Sequence, residues 1–216
     1  MLYLDPAGGA SERGVQITCP DKRTRLDAER IAFIEPLLRA QPYIEDVRSW
    51  NGAPVDYNLD RFREVLKSPD RRSRTGNLAD CHLQAFDLAF DEVTRPWLDV
   101  DEPIVLGKNV IARSARVQGG FGWLYGNKHA IARNYVFVGL PKEHEYFEWT
   151  FDSKIAFHPT TSVLELARVI RGAPRFIGNS SFPLALAIGM GHPDITQEVD
   201  PKLPTTVFDN IRMQYI

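Results

Sequence analysis

The chain has 216 residues, 44% of them hydrophobic, and this length and composition are sufficient for one large or two small packed domains. Its formal net charge of -2 at pH 7 provides no overall positive field, which argues against recruitment of nucleic acid or of a membrane surface by net charge. The first residues lack the basic and apolar regions of a signal peptide, and no later segment is apolar over a membrane-spanning length. We therefore expect a soluble protein without a transmembrane segment.

The two cysteines, Cys19 and Cys81, lie far apart in the sequence and form no C-x-x-C motif. This spacing argues against a zinc site and against a disulfide framework. The histidines also share no metal-ligand spacing, so the sequence predicts no metal site. We expect reduced thiols and a cytoplasmic location.

The first half of the chain is predicted to contain short strands and helices. Leu2 to Leu4 form a very short apolar strand, which is expected at a sheet edge or marks a missing preceding unit. Apolar spacing predicts a helix over 26–38, shortened or kinked at Pro36. The other predicted elements are strands over 15–18, 44–50 and 55–59, a short helix over 60–66 that Asp60 is able to cap, and a helix over 77–90.

The connector TRPWLDVDE, over 94–102, separates this half from the next. Its Pro and Asp content is typical of a link between structural units, so we place a domain boundary near it. The predicted portions are 1–95 and 96–216.

The second half alternates strands and helices. Strands are predicted over 104–112, 135–140, 155–157 and 174–177 and around Ile195, with helices over 142–151 and 163–170. Such alternation indicates an α/β fold with a Rossmann-like parallel sheet and helices on both faces. Ligands of these sheets bind at the carboxyl ends of the strands.

The stretch PRFIGNSSFPLALAIGMGHP, over 174–193, indicates a strand, a tight turn and a helix. The apolar run ends at Gly178, the polar triplet Asn179, Ser180 and Ser181 follows, and the helix begins near Phe182. Free N–H groups, hydroxyls and the helix dipole meet at such a turn, which suits a phosphate group. The alternative is that the triplet only caps the helix.

The order of VFVGLPKEHEYF and TSVLELARVIRGAPRFIGNSSFPLALAIGMGHP resembles the C-terminal half of GT-B glycosyltransferases. The similarity is greatest to the ADP-heptose lipopolysaccharide heptosyltransferases of glycosyltransferase family 9, and it covers about 103–198. The resemblance implies a GT-B-like protein with a reduced, acceptor-side N-terminal portion and a C-terminal portion that binds a nucleotide-diphosphate sugar. It implies transfer of the sugar to an acceptor hydroxyl without a metal ion or a bound cofactor.

The resemblance also assigns site residues. The triplet occupies the family's diphosphate-binding position, where Asp, Thr and Gly are usual. The residues after the first strand of the second half correspond to phosphate contacts, and those after Gly139 to the nucleoside site. Glu198, at the carboxyl end of the strand that begins near Ile195, is a further candidate for a ribose or sugar hydroxyl. The candidate donor-binding residues are Arg113, Ser114, Arg116, Leu140, Glu143, Asn179, Ser180, Ser181 and Glu198.

Two features depart from the family. Leu184 replaces a usual His, and the chain starts at what resembles the family's second strand, without the preceding Gly-Asp loop that supplies the general base. Either the true start lies upstream of Met1, or another residue serves as the base, or the chain does not catalyse transfer. If another residue serves, the candidates are Asp5, although a turn role before Pro6 is favoured, and His158, at a predicted strand end.

Several alternatives stay open at this point. The chain is either a transferase or a non-catalytic module that binds a nucleotide, a nucleotide sugar or a protein partner, and an epimerase-like enzyme shares the architecture. In the glycine-rich loop 118–128, Trp123 or Tyr125 is a candidate for stacking on a sugar or base. The edge of the Leu2 to Leu4 strand is a candidate for pairing in a homodimer.

Overall fold

The fold was analysed in a computed structural model that describes residues 1–4, 6, 27–68, 78–115, 121–199 and 213–216. Two short strands near the start, β1 (Leu2–Leu4) and β2 (Val47–Ser49), pair in parallel with Leu2 opposite Val47. The other six described strands form one all-parallel sheet in the order β5-β4-β3-β6-β7-β8. They are β3 (Asn109–Ala112), β4 (Tyr135–Phe137), β5 (Ala156–Phe157), β6 (Phe176–Asn179), β7 (Ile195–Glu198) and β8 (Gln214–Tyr215).

The eight described α-helices connect or cover these strands. In the first half they are α1 (Ala28–Arg39), α2 (Phe62–Lys67) and α3 (Leu78–Ala85), with short 3-10 helices at Leu59–Arg61 and Phe90–Thr94. In the second half they are α4 (Phe121–Gly126), α5 (Lys128–Asn134), α6 (Pro141–Phe151), α7 (Val163–Arg171) and α8 (Phe182–Gly189). The protein is therefore an α/β fold with a Rossmann-like sheet.

Both faces of the six-stranded sheet are covered by apolar side chains from helices. On one face, α7 and α8 pack with Val110 and Phe176 from the sheet. On the other face, α4, α5 and α6 pack with Ile111 and Phe137. The central strands are buried on both sides, which explains why they show continuous apolar runs more than alternation.

The first half shares the core of the second half. Leu37 of α1 belongs to the same apolar cluster as α7 and α8. The buried side-chain amide of Gln41 accepts from the Asp99 N–H at 2.9 Å and donates to the Asp99 carbonyl at 3.1 Å. These contacts fix the end of α1 to the connector that leads into the sheet.

The structure confirms most of the predicted elements but moves several boundaries. The predicted strand over 55–59 is absent, because Asn58 instead caps a 3-10 helix by accepting from the Asp60 N–H at 3.0 Å. Pro36 lies inside α1 without ending it. Part of the predicted loop 118–128 is helical, as α4 begins at Phe121. The predicted strand over 15–18 lies outside the described residues.

No helix within the described part of the chain is long and apolar enough to cross a membrane. Cys81 is buried and forms no disulfide within the described residues, and Cys19 lies outside them.

Gly172 provides a test of the packing between α7 and the connector. A methyl group at this position would overlap the carbonyl group of Ile104, whose carbon would be 2.6 Å away, and the Ile104 N–H also donates to Arg168 in α7. We expect Gly172→Ala to lower the free energy of unfolding by about 1–3 kcal/mol in urea denaturation. Gly122 in α4 has open space around the same position, so Gly122→Ala should be neutral or stabilising. Equal stability of the two variants would contradict this packing.

Candidate functional site

The carboxyl ends of β3 and β6 form the candidate site. From β3 the chain proceeds through β4 to β5 on one side, and α7 then carries it back to β6 on the other side of β3. The strand order thus reverses between β3 and β6, and open parallel sheets bind ligands in the crevice at such a point. The residues that follow these two strands are Arg113 and Ser114 after β3, and Ser180 and Ser181 after β6.

A buried ion pair spans the ends of three neighbouring strands. The Arg113 guanidinium donates from Nε and Nη2 to the two carboxylate oxygens of Glu198, at 2.7 and 2.8 Å. Both side chains are almost completely buried, and the guanidinium also lies over the Phe151 ring of α6, 5.3 Å from its centroid. Arg113 Nη1 is buried, and no hydrogen-bond partner for it lies in the described part of the chain.

The Asn179 amide joins β6 to the loop after β3. Its Oδ1 accepts from the Ser114 N–H at 3.0 Å, and its Nδ2 donates to the Ser114 carbonyl at 2.7 Å. Asn179 is fully buried and pairs with Glu198 in the sheet register. Asn179 therefore belongs to the strand and supports the turn, and the turn itself consists of Ser180 and Ser181.

Ser180 and Ser181 are half-buried at the start of α8. Ser180 Oγ accepts from Gln197 Nε2 at 3.3 Å, and Ser181 Oγ donates to the Asn179 carbonyl at 3.2 Å, so the Ser181 side chain does not cap the helix. Within the described residues, the Phe182 and Leu184 N–H groups have no acceptor. Two hydroxyls and two amide donors therefore meet at this helix start, which favours an anion.

A groove of about 690 Å³ opens beside this turn. One wall is α8, through Leu184, Ala185 and Ile188 together with the two serines, and the opposite wall is α3 with the Phe90–Thr94 helix. Trp97, which is 55% exposed, completes the wall at the carboxyl end of α8. The lining is mainly apolar, as is usual for small-molecule sites.

His82 of α3 also lines this groove. Its ring stacks on Phe62 of α2, with centroids 4.0 Å apart, and the rest of the imidazole is exposed. Burial against this neighbour lowers the pKa of His82, and the charge of Arg63 lowers it further against an opposing effect of Asp60. The lowered pKa favours the neutral imidazole, which is able to accept a hydrogen bond.

His158 follows β5, and its N–H donates to the Phe137 carbonyl at 2.9 Å. Its ring Nε2 is buried and has no hydrogen-bond partner among the described residues. The neighbouring Glu165 has a lowered pKa, chiefly because the Thr161 hydroxyl donates to it, and the charge of His158 adds to this effect. Three inter-strand steps of roughly 4.8 Å place the ends of β5 and β6 about 14 Å apart. His158 is thus on the same edge as the serine turn but not next to it.

The other predicted site residues have different positions. Leu140 is exposed after β4, and its N–H donates to the Glu143 carboxylate at 3.2 Å, which closes the first turn of α6. Arg113, Ser114, Asn179 and Glu198 are buried supports in this conformation, and their contact with a ligand stays a prediction. Asp5 and Arg116 lie outside the described residues.

Within the described residues, no three His, Cys, Asp or Glu side chains come together as metal ligands. Comparison of the chain with protein-family models, with curated proteins and with solved structures found no match.

The groove itself was not predicted from the sequence. The helix over 77–90 was predicted from the spacing of Leu78, His82, Ala85, Phe86 and Ala89. The residues of α3 that line the groove are Leu78, Ala79, His82 and Leu83. The sequence does not show that these residues lie opposite α8, because the two helices are almost a hundred residues apart.

We expect substitutions of Arg113 and Glu198 to have strongly non-additive effects on the free energy of unfolding. We expect Arg113→Met or Glu198→Met alone to cost about 3–5 kcal/mol of unfolding free energy, because each leaves a buried charge uncompensated. The double variant should be more stable than either single variant, as measured by urea denaturation. Additive losses would show that the pair is not coupled.

We expect replacement of Asn179 by Asp to cause a loss of stability that depends on pH. In Asn179→Asp a buried carboxyl replaces the amide and satisfies the Ser114 carbonyl only when protonated, so its pKa is raised on folding. Its stabilising contribution is present at low pH and is lost as the pH rises, so the loss relative to wild type should be larger at pH 8 than at pH 5. Asn179→Ala should instead cost about 1–3 kcal/mol at both values. Denaturation midpoints at the two pH values test this, and a flat profile for Asn179→Asp would count against the buried amide contact.

Proposed function

We propose that the protein is a GT-B-like glycosyltransferase that binds a nucleotide-diphosphate sugar and transfers the sugar to an acceptor hydroxyl without a metal ion. The observation that carries this proposal is the position of the Ser180–Ser181 turn. It lies at the carboxyl end of β6, beside β3, where the strand order of a Rossmann-like sheet reverses.

The turn offers suitable donors for a diphosphate. The Ser180 and Ser181 hydroxyls are half-exposed, and the Phe182 and Leu184 N–H groups have no acceptor within the described residues. The Ser181 hydroxyl donates to the Asn179 carbonyl in this conformation, and it turns away from that carbonyl to donate to a phosphate oxygen. The positive end of the α8 dipole adds to their field. In transfer, negative charge develops on the leaving diphosphate, and oriented donors stabilise that charge without reorganisation.

The buried contacts behind the turn also favour diphosphate binding. The Asn179 amide and the Arg113–Glu198 pair hold the ends of β3, β6 and β7 in one arrangement. A rigid support keeps the donors in place, which is what electrostatic stabilisation of a leaving group requires.

The remaining predicted residues have proposed places along the same edge. Leu140 and Glu143 follow β4, next to β3, and are candidates for the nucleoside. His158 follows β5, its buried Nε2 has no partner within the described ranges, and it is a candidate for a contact with the donor.

Calorimetric titration with ADP, UDP, GDP and CDP tests the proposal. Saturable binding of at least one of them to the wild type is expected. In Ser180→Ala/Ser181→Ala the affinity should fall by at least about 100-fold, since two hydrogen bonds to a charged group are lost. Ser49→Ala removes an exposed serine from β2 and should bind like the wild type.

Two outcomes would contradict the proposal. Failure of all four nucleotides to bind would remove the donor site. Equal affinity of the double variant and the Ser49→Ala control would place the nucleotide elsewhere. Binding without release of the sugar from any corresponding nucleotide sugar would favour the non-catalytic binding module.

A further inference from the structure

The groove beside the serine turn has the dimensions and lining of a site for a second ligand. Its volume of about 690 Å³ is within the range of roughly 300–1,000 Å³ that small-molecule pockets span. Ser180 and Ser181 belong both to the turn and to the groove wall. A molecule in the groove therefore lies directly against whatever the turn binds.

The charges at the groove rim are already paired, so the lining favours an uncharged occupant. Glu92 and Arg95 are the charged residues among the described lining, and their side chains form an ion pair of 3.0 Å. Trp97, Leu184 and Ile188 contribute apolar surface, and more than half of the Trp97 side chain is exposed. Burial of this surface favours an occupant with an apolar body.

His82 supplies a polar group in this apolar wall. Within the described residues its imidazole makes no hydrogen bond. One face of the ring stacks on Phe62 of α2, which holds the ring in place. In the neutral ring one nitrogen is a hydrogen-bond acceptor, and it can accept from an N–H or O–H group of a ligand. An uncharged alcohol supplies one.

We propose that this groove is the acceptor site, that it binds an uncharged alcohol with an apolar body, and that His82 accepts the proton of the acceptor hydroxyl. The inference rests on the proposed transferase function. It makes His82 the catalytic base and leaves His158, at the end of β5, with a different role.

These groups account for every bond and proton that changes in the transfer step. The acceptor oxygen forms a bond to the anomeric carbon of the sugar as the bond from that carbon to the diphosphate breaks. The electron pair of the broken bond stays on the diphosphate oxygen, next to the Ser180–Ser181 turn. The proton of the acceptor moves to a ring nitrogen of His82, which later releases it to water.

The groove is tested with 4-nitrobenzyl alcohol as a probe, by saturation-transfer NMR on the full chain. We expect saturable binding that Ala185→Phe weakens at least about tenfold, because the exposed Ala185 side chain lines the groove. Ala130→Phe alters an exposed alanine of α5, outside the groove lining, and should have no effect. Nucleotide binding should survive both substitutions. Absence of probe binding, or equal binding by the two variants, would overturn the groove as a site even if nucleotides bind.

The role of His82 is tested by comparing the probe with 4-nitrotoluene, which lacks the hydroxyl. The wild type should prefer the alcohol by at least about threefold, as expected for one added hydrogen bond. His82→Phe keeps an aromatic ring against Phe62 and should abolish the preference, whereas His129→Phe, at an exposed position in α5, should keep it. A preference that persists in His82→Phe would overturn the assignment.

Turnover gives a second test of the base. The donor is the nucleotide sugar corresponding to a diphosphate that binds in the titration, and the acceptor is 4-nitrobenzyl alcohol. Glycoside formation should be at least about 100-fold slower in His82→Phe than in His129→Phe. Equal rates, or no glycoside from a wild type that binds both ligands, would overturn His82 as the base.

Discussion

The arrangement of the carboxyl edge depends on one buried ion pair. Arg113 directly follows β3, Glu198 ends β7, and the bidentate contact between them crosses β6 at Asn179. Burial of both charges is costly, and such a pair is weak evidence for added stability. Its geometric demand is strict, because both carboxylate oxygens must meet the planar guanidinium. We interpret the pair as a constraint that selects one relative position of three strand ends.

This constraint determines where the serine turn lies. Asn179 is held by the Ser114 backbone on one side and by the β7 pairing on the other, so the chain leaves β6 at a fixed point. Ser180 is also held from β7, through Gln197. The first turn of α8 therefore starts from a support built by three strands. Such a support suits a site whose donors must not move when charge develops on a ligand.

The part of this arrangement that depends on local sequence was predictable. The apolar run, the polar turn and Pro183 indicated the strand, turn and helix around 174–193, and alternation indicated the parallel sheet. The long-range contacts were not predictable, since Arg113 and Glu198 are separated by 85 positions. The polar strand β7, ITQE, gave little apolar signal although all four residues are buried. Segment 55–59 was predicted as a strand from its alternating pattern, but the structure forms no strand pairing there.

The groove beside the serine turn depends on the contact between the connector and α8. The Trp97 and Leu98 N–H groups both donate to the Gly189 carbonyl at 2.8 Å, and a methyl group on Gly189 would come within 2.8 Å of the Trp97 ring. The absence of a side chain at Gly189 thus lets the indole lie against the end of α8. The Phe90–Thr94 helix and α3 precede this contact in the chain, so the same contact positions the wall that carries His82. The geometry of the groove is therefore coupled to the serine turn through α8, whose first residues border the turn and whose last residue anchors Trp97.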